Sequence, residues 1–328
     1  MALEKGDATP AVRRKLSAGP LSKADKWFFR VTSVAANFAF VLVALIVIFL
    51  FVKSWPVISS QGFNFVLGST WNPDGKGHAM QLGPMLWGSL LIGFVGVILA
   101  TPMAISAAYL IVYLLPKSLA RVATTIVDLL AALPSVVIGL WGFMVFTPVA
   151  INWGKIANQY LGWIPLFAVK DKTAAFTDSP FIAGWIVAVM IVPIITSVTR
   201  EIFSQMDDGL INGALALGGS RASVFRRVIL PTSSSGIMGA VLLGLGRALG
   251  ETVAIAYVLQ LSMKINLFNL LESRGGAVAS WILTRFGEAS SAEFTGLMAA
   301  GLVIFLVTLL VNTLATFIVN RAQPWRKN

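Results

Sequence analysis

The sequence predicts an all-α, polytopic membrane protein with six transmembrane helices. Three observations carry that reading. The 328 residues are 57% hydrophobic and only 12% charged, where a soluble domain is about 25% charged. Mean hydropathy is +0.82. Six apolar runs each reach the roughly 20 residues that a helix needs to cross hydrocarbon.

The runs lie near 31–52, 85–113, 122–149, 181–203, 235–261 and 295–319, which together make a membrane domain over 31–319. The first follows a polar, basic tail over residues 1–30. Its apolar stretch, about 22 residues, exceeds the short core of a cleaved signal peptide, so it reads as a retained anchor. The second and third runs contain Pro102 and Pro134, which membrane helices tolerate when neighbours satisfy the freed carbonyl. After the third comes "INWGKIANQYLGWIPLF" (151–167), whose mix of aromatic and polar residues predicts an interfacial helix or a docking surface. The fifth run carries Arg247 and Glu251. A short basic tail over 320–328 follows the sixth.

Lysine and arginine set the orientation. Residues 1–30, 114–121, 200–234 and 320–328 hold 16 of them, and the alternate segments 53–84, 150–180 and 262–294 hold 8. The richer set is expected to be cytoplasmic, with both termini inside. Trp55, Trp71, Trp87, Trp153, Trp163, Trp185 and Trp281 fall in or beside the segments assigned outside, where indoles favour the headgroup region.

Composition also excludes whole classes. The net charge of +11 is spread over the ends of apolar runs, so it does not describe a nucleic-acid-binding face. There is no cysteine and one histidine, His78, so no metal site is expected. A membrane enzyme would need clustered titratable groups, which the sequence lacks. No G-x-x-x-x-G-K-[ST] loop occurs, so this chain is not expected to hydrolyse ATP.

The segment "REIFSQMDDGLINGALALGGSRASVFRRVILP" (200–231) predicts an ordered knob over 207–231. Asp207 or Asp208 can cap a short helix, Gly218 and Gly219 stop it, and Ser220 can cap a second helix that Pro231 ends. From Asn212 to Pro231 the chain resembles the EAA loop of ABC importer permeases. Ala214, Gly218, Leu230 and Pro231 fall in register and Val228 replaces an isoleucine; Asn212 and Gly213 stand where the family has glutamate and alanine. "DLLAALPSVVIGLWGFMVF" (128–146), "MIVPIITSVTREIF" (190–203) and "LGLGRALGETVAI" (243–255) resemble, more narrowly, the C-type permeases of phosphate ABC importers.

The resemblance implies a type I-like permease fold and a transport subunit of the cell membrane that is not itself an enzyme. It implies that Asn212, Gly213, Ala214, Gly218, Leu230 and Pro231 belong to a loop docking on an ATPase. Implied partners are a second permease (PstA-type), two ATP-binding subunits (PstB-type), an extracytoplasmic phosphate-binding protein (PstS-type) and membrane lipid, with no nucleic acid. No cofactor is implied in this chain; ATP and Mg belong to the partner ATPase. Cargo such as sulfate or molybdate, or an ungated channel, stands as the alternative.

Arg247 and Glu251 sit four residues apart in the fifth run, on one face of a continuous helix. A charge at that depth costs on the order of 2.5–3.5 kcal/mol on insertion scales. Arginine before glutamate is the weaker helical order, so helix stability does not account for them. They are either a structural ion pair or a pathway site, where Arg247 meets a passing oxyanion. Ser135, Thr196 and Thr252 are further candidates for the pathway or are packing hydroxyls. Asp128 is expected to cap or pair near one end of the third span.

Overall fold

A computed structural model describes residues 22–75, 77–170 and 176–322, with side chains as far as Phe317. Among them, six helical stretches are long and apolar enough to cross a membrane: Lys23–Gln61, Gly83–Leu114, Ser135–Leu161, Pro180–Ser204, Arg221–Leu249 and Ser291–Phe317.

The chain falls into two units, one ending at Phe49 and one beginning at Leu50. Helix α1 (Lys23–Gln61) is continuous through both. In the first unit Phe38, Phe40 and Leu45 are exposed, as on a helix that is apolar all round and meant for lipid. The second unit holds everything else. After α2 (Asn64–Leu67) comes a small antiparallel hairpin of β1 (Trp71–Asn72) and β2 (Ala79–Met80). The helices that follow are α3 (Gly83–Tyr109), α4 (Lys117–Ala131), α5 (Ser135–Trp141) and α6 (Thr147–Leu161). Then come α7 (Pro180–Ser204), α8 (Asp208–Ala216), α9 (Arg221–Val224), α10 (Leu230–Leu249), α11 (Val253–Val258), α12 (Val278–Phe286) and α13 (Ser291–Ala322).

The centre of the second unit is the pair α3 and α7. They run parallel: Gly96 lies against Val187, Ala104 against Thr196, and Tyr113 against Phe203. Their contact is a reciprocal glycine lock. A Cβ on Gly184 would come 2.5 Å from Val95 Cγ1, and one on Gly96 would come 2.9 Å from Val187 Cγ1. Small residues allow this approach, and in lipid such packing is what draws helices together. Helix α10 runs the other way along α7, with Gly236 against Ile202 and Gly244 against Ile195. Ile92, Ile186, Ile191 and Ala248 fill the core between these helices. A second core gathers Phe65, Met85, Trp281 and Leu297, and a third joins Ala108, Phe203 and Val224.

Four expected boundaries move. The third span is Ser135–Leu161, not 122–149. Pro134 takes ψ 136°, outside the helical range, so the helix before it ends at Ala131 and a new one begins at Ser135. Residues 117–131 form the separate helix α4. Pro102 and Pro193 lie inside α3 and α7, which stay continuous. The interfacial helix expected over 151–167 is, up to Leu161, the end of this span; Tyr160 and Trp163 are exposed beyond its core.

The fifth span runs over Arg221–Leu249, not 235–261. Pro231 does not end the helix begun at Arg221. A π-helical turn over Phe225–Ile229, closed by the Leu230 N–H on the Phe225 carbonyl, precedes it. The wider turn accommodates the missing proline N–H, and the helix runs on. Finally, helix α1 starts at Lys23, inside the segment expected to be a tail. Residues 1–21 and 323–328, the outer parts of both expected tails, lie outside the described residues.

The glycine lock yields a test. Gly184→Leu should overpack α3 against α7 at a cost of about 1–3 kcal/mol or more. Gly239→Ala, where a Cβ meets nothing within 4 Å, should be neutral or stabilise by up to about 1 kcal/mol. Thermal unfolding in detergent, read as midpoint temperature, checks both; equal midpoints would remove the lock from its central place.

Candidate functional site

Helix α10 stops inside the bundle. The Gly250 N–H bonds the Gly246 carbonyl and the Glu251 N–H bonds the Ala248 carbonyl, each at 3.3 Å. After Thr252, at φ −110°, the short α11 begins. The break is deep: its neighbours include Ile194, near the middle of α7, and Asn312, far inside α13. Irregular backbone at membrane depth is tolerated only where protein buries it or where it lines a cavity. Here it does the second. A cavity of about 620 Å³ is lined by Ile194, Leu243, Gly246, Arg247, Glu251 and Asn312, with Leu242 and Gly250.

The helix break changes the expected relation between Arg247 and Glu251. They do not share a helix face, because α10 ends between them at Leu249. Arg247 is exposed and Glu251 is only 6% exposed. No ion pair joins them among the described residues. The Glu251 carboxylate instead accepts the Ala254 N–H at 3.3 Å, at the start of α11.

Three glutamates are buried among the described residues: Glu251, Glu272 and Glu293. Glu272 has Arg274 Nε at 3.1 Å and accepts the Lys170 N–H. Glu293 accepts Trp71 Nε1 at 2.8 Å and has Arg285 at 3.9 Å; that guanidinium also lies 4.8 Å from the Trp281 ring centre. Glu272 thus ties loop to loop, and Glu293 ties the hairpin and α12 to α13. Glu251 has no such cation, which sets it apart. Asn312, from α13, adds a buried Oδ1 with no hydrogen-bond partner. Sequence reasoning missed Asn312; its signal was a lone amide within the sixth apolar run.

The other expected pathway residues go elsewhere. Thr196 is fully buried, and its hydroxyl reaches the Ala104 carbonyl at 3.5 Å. That places it in the α3–α7 packing. Ser135 is half-buried at the start of α5. Thr252 lies in the break, where its carbonyl accepts the Ser280 hydroxyl at 2.7 Å. None of the three lines the Arg247 cavity. Asp128 accepts the Ser197 hydroxyl at 2.9 Å and so ties α4 to α7. A further cavity of about 540 Å³, walled by Trp87, Phe94, Leu249 and Phe268 among others, is apolar throughout; Trp87 Nε1 donates to the Leu267 carbonyl.

The knob forms as its residues dictate. Asp207 accepts the Gly209 N–H and caps α8; Ser220 accepts the Ser223 N–H and caps α9. Gly218 takes φ +84°. Its N–H bonds the Leu215 carbonyl, and the Gly219 N–H bonds the Ala214 carbonyl, the paired ending typical of a glycine-terminated helix. Ile211 and Ala214 turn inward toward Phe203, Tyr109 and Tyr113. Asn212, Gly213 and Leu217 face outward, as do Arg226 and Arg227. Leu230 and Pro231 begin α10, directly above the knob.

Comparison with known proteins agrees with this architecture. Residues 100–327 match the family described as binding-protein-dependent transport system inner membrane component. The chain is 33% identical over 302 residues to the phosphate transport system permease protein PstC of Pasteurella multocida, covering 90% of this chain and 92% of that one. It is 34% identical over 298 residues to PstC 2 of Mycobacterium tuberculosis, with the same coverage. In fold it is similar to a solved bacterial alginate ABC transporter bound to a pentasaccharide-loaded periplasmic protein, with TM-score 0.53, 17% identity, and coverage of 90% of this chain and 98% of that one. It is likewise similar to the MetNI methionine ABC transporter in an inward-facing form, with TM-score 0.52, 16% identity, and coverage of 73% and 95%. With six helices long and apolar enough to cross a membrane, this chain belongs to the binding-protein-dependent ABC importer permeases, the family that includes the PstC proteins it matches over nine tenths of its length.

Proposed function

We propose that the chain is one permease half of an ATP-driven inorganic phosphate importer, working with a PstA-type permease, two PstB-type ATPase subunits and a PstS-type binding protein. One observation carries the reading. Arg247 is exposed at membrane depth, beside a helix break that lines a cavity with Glu251 and Asn312. A guanidinium there is costly against lipid and belongs in water or against another chain. An oxyanion passing between two permeases is the partner its forked donors suit.

In this reading the knob faces the cytoplasm, as the excess of basic residues on its side expects, and both termini lie there. Its outward residues Asn212, Gly213 and Leu217 meet the ATPase. ATP and Mg are bound on that subunit. The far end of the bundle, with Trp153, Trp163 and Trp281, faces the binding protein.

Phosphate accumulation by the reconstituted complex, supplied with ATP and loaded binding protein, is the direct test of cargo; accumulation of sulfate in its place would refute phosphate as substrate. Arg247→Gln should lower phosphate uptake roughly 10- to 100-fold, the weight of a charge-assisted hydrogen bond of about 1.5–3 kcal/mol. The four-component assembly should survive. Unchanged uptake would remove Arg247 from the route.

The knob gives a separate expectation. A Cβ at Gly218 meets nothing within 4 Å, so only the positive φ resists substitution. Gly218→Leu should therefore cost about 1–3 kcal/mol of local strain and reduce ATPase co-purification. Gly218→Asn, which tolerates that conformation, should retain it. Equal ATPase recovery with both variants would dissociate the glycine hinge from coupling.

A further inference from the structure

Resting on the reading of the tryptophan-rich end as the face toward the binding protein, the structure also bears on how docking there reaches the route. Glu293, in the first turn of α13, is buried and is no part of the Arg247 cavity. Burying a carboxylate is costly unless it is paired and hydrogen-bonded, and Glu293 is held unequally on its two sides. Toward the hairpin the hold is firm. Trp71 Nε1, from β1, donates to Glu293 Oε1 at 2.8 Å, and Met80 of β2 lies so close to α13 that a Cβ on Gly296 would come 2.4 Å from its sulfur. Toward α12 the hold is loose. Arg285 stands 3.9 Å from the same oxygen, beyond hydrogen-bond length. Its side chain is 45% exposed, and its guanidinium lies 4.8 Å from the Trp281 ring centre. A shift of roughly 1 Å would complete a charge-assisted hydrogen bond.

Helix α12 carries this joint to the break after α10. It starts on the α3–α7 frame, where the Val278 N–H donates to the Ser89 hydroxyl of α3 at 2.9 Å. Buried Ser280 donates its hydroxyl to the Thr252 carbonyl at 2.7 Å, and Thr252 directly follows Glu251 in the break. Trp281 meets Trp71 edge-on, with ring centres 5.6 Å apart. From Val278 to Arg285, one short helix therefore touches the frame, the break, the hairpin and Glu293. Its far end is open to a partner, since Leu283, Arg285 and Phe286 are exposed. A cation between two apolar groups suits a partner surface that brings a carboxylate. Coupling between separated sites needs an element with two arrangements. Arg285 supplies it, because it can close on Glu293 or turn to a carboxylate from outside.

We infer that Glu293 is a positioning residue of the route. With Arg285 it sets the tilt of α12, and α12 sets the Thr252 carbonyl through Ser280. A binding protein seated over the hairpin and the end of α12 competes with Glu293 for Arg285, and so acts on the break beside Arg247 without touching it.

The test uses the chain in complex with its partner permease and ATPase subunits, in phospholipid nanodiscs. ATP hydrolysis is measured without and with saturating loaded binding protein. Glu293→Gln keeps the size and an acceptor for Trp71 but removes the charge that faces Arg285. It should cut the stimulation by binding protein about 5-fold or more, the low end of typical coupling between sites, and leave the basal rate and the thermal midpoint unchanged. Arg285→Gln, at an exposed position, should do the same and does not depend on a buried substitution folding. Ser280→Ala, which removes the hydroxyl from Thr252, should also lower the stimulation. Adding Glu293→Gln to it should lower the stimulation no further, because both act along one line.

Stimulation unchanged by Glu293→Gln or by Arg285→Gln would overturn the inference. A lowered midpoint with the stimulation intact would overturn it too, leaving Glu293 as a fastener of the hairpin. Additive losses from Ser280→Ala and Glu293→Gln would remove α12 as the shared link. An unaltered complex that the binding protein does not stimulate would overturn the reading of the tryptophan-rich end itself, and this inference with it.

Discussion

The close approach of α3 and α7 is the constraint on which the second unit depends. Lipid tails are as apolar as the helices they surround, so burial of side chains alone does not press helices together. Contact must be won by fit. Gly96 and Gly184 supply it by removing side-chain bulk at matching points, so that Val187 and Val95 fill the space. The pair then offers a fixed surface. Ile191 and Ile195 on α7 receive Gly244 of α10, and Phe203 with Tyr113 forms the seat on which the knob rests. Both the cavity and the knob are referred to one shared frame.

Satisfying the backbone is the second requirement, and it separates the permitted interruptions from costly ones. The break after α10 leaves peptide groups at membrane depth, and side chains take up two of them. Glu251 takes the Ala254 N–H, and the Thr252 carbonyl takes the Ser280 hydroxyl from α12. Gly139 of α5 comes so close to Ala254 that any Cβ would overlap its Cα. The interruption is therefore braced from two sides while a third side opens on the cavity. Such bracing holds Arg247 and Glu251 apart, one exposed and one buried, where an unbroken helix would have let them neutralise each other.

Much of this was legible in the sequence, for reasons that differ by element. The six spans were visible because crossing hydrocarbon demands a length of apolar residues that little else requires. The knob was visible because capping and positive φ demand particular residues, and Asp207, Ser220 and Gly218 stand where needed. The fate of the prolines was not. Pro102, Pro134 and Pro193 look alike in an apolar run, yet only Pro134 breaks its helix; local sequence does not say where tertiary contacts re-satisfy a freed carbonyl. Arg247 and Glu251 stood out by charge, but their spacing suggested a shared face that the stop at Leu249 denies. Asn312 was hidden because one amide among apolar residues carries little weight until its neighbours are known. Ser135, Thr196 and Thr252 showed the converse: hydroxyls near the right motifs, spent on packing or lying outside the cavity.

The π-helical turn before Pro231 joins what would otherwise be two rods. Arg221 to Leu249 is a single 29-residue helix, about 40 Å from the knob to Arg247 at 1.5 Å per residue. A rod of that length is a lever. Tilting it by roughly 5° about its knob end displaces the other end by about 3 Å, the length of one hydrogen bond. A motion too small to disturb the packing of most side chains therefore suffices to carry the Arg247 guanidinium into or out of hydrogen-bond reach of a group facing it.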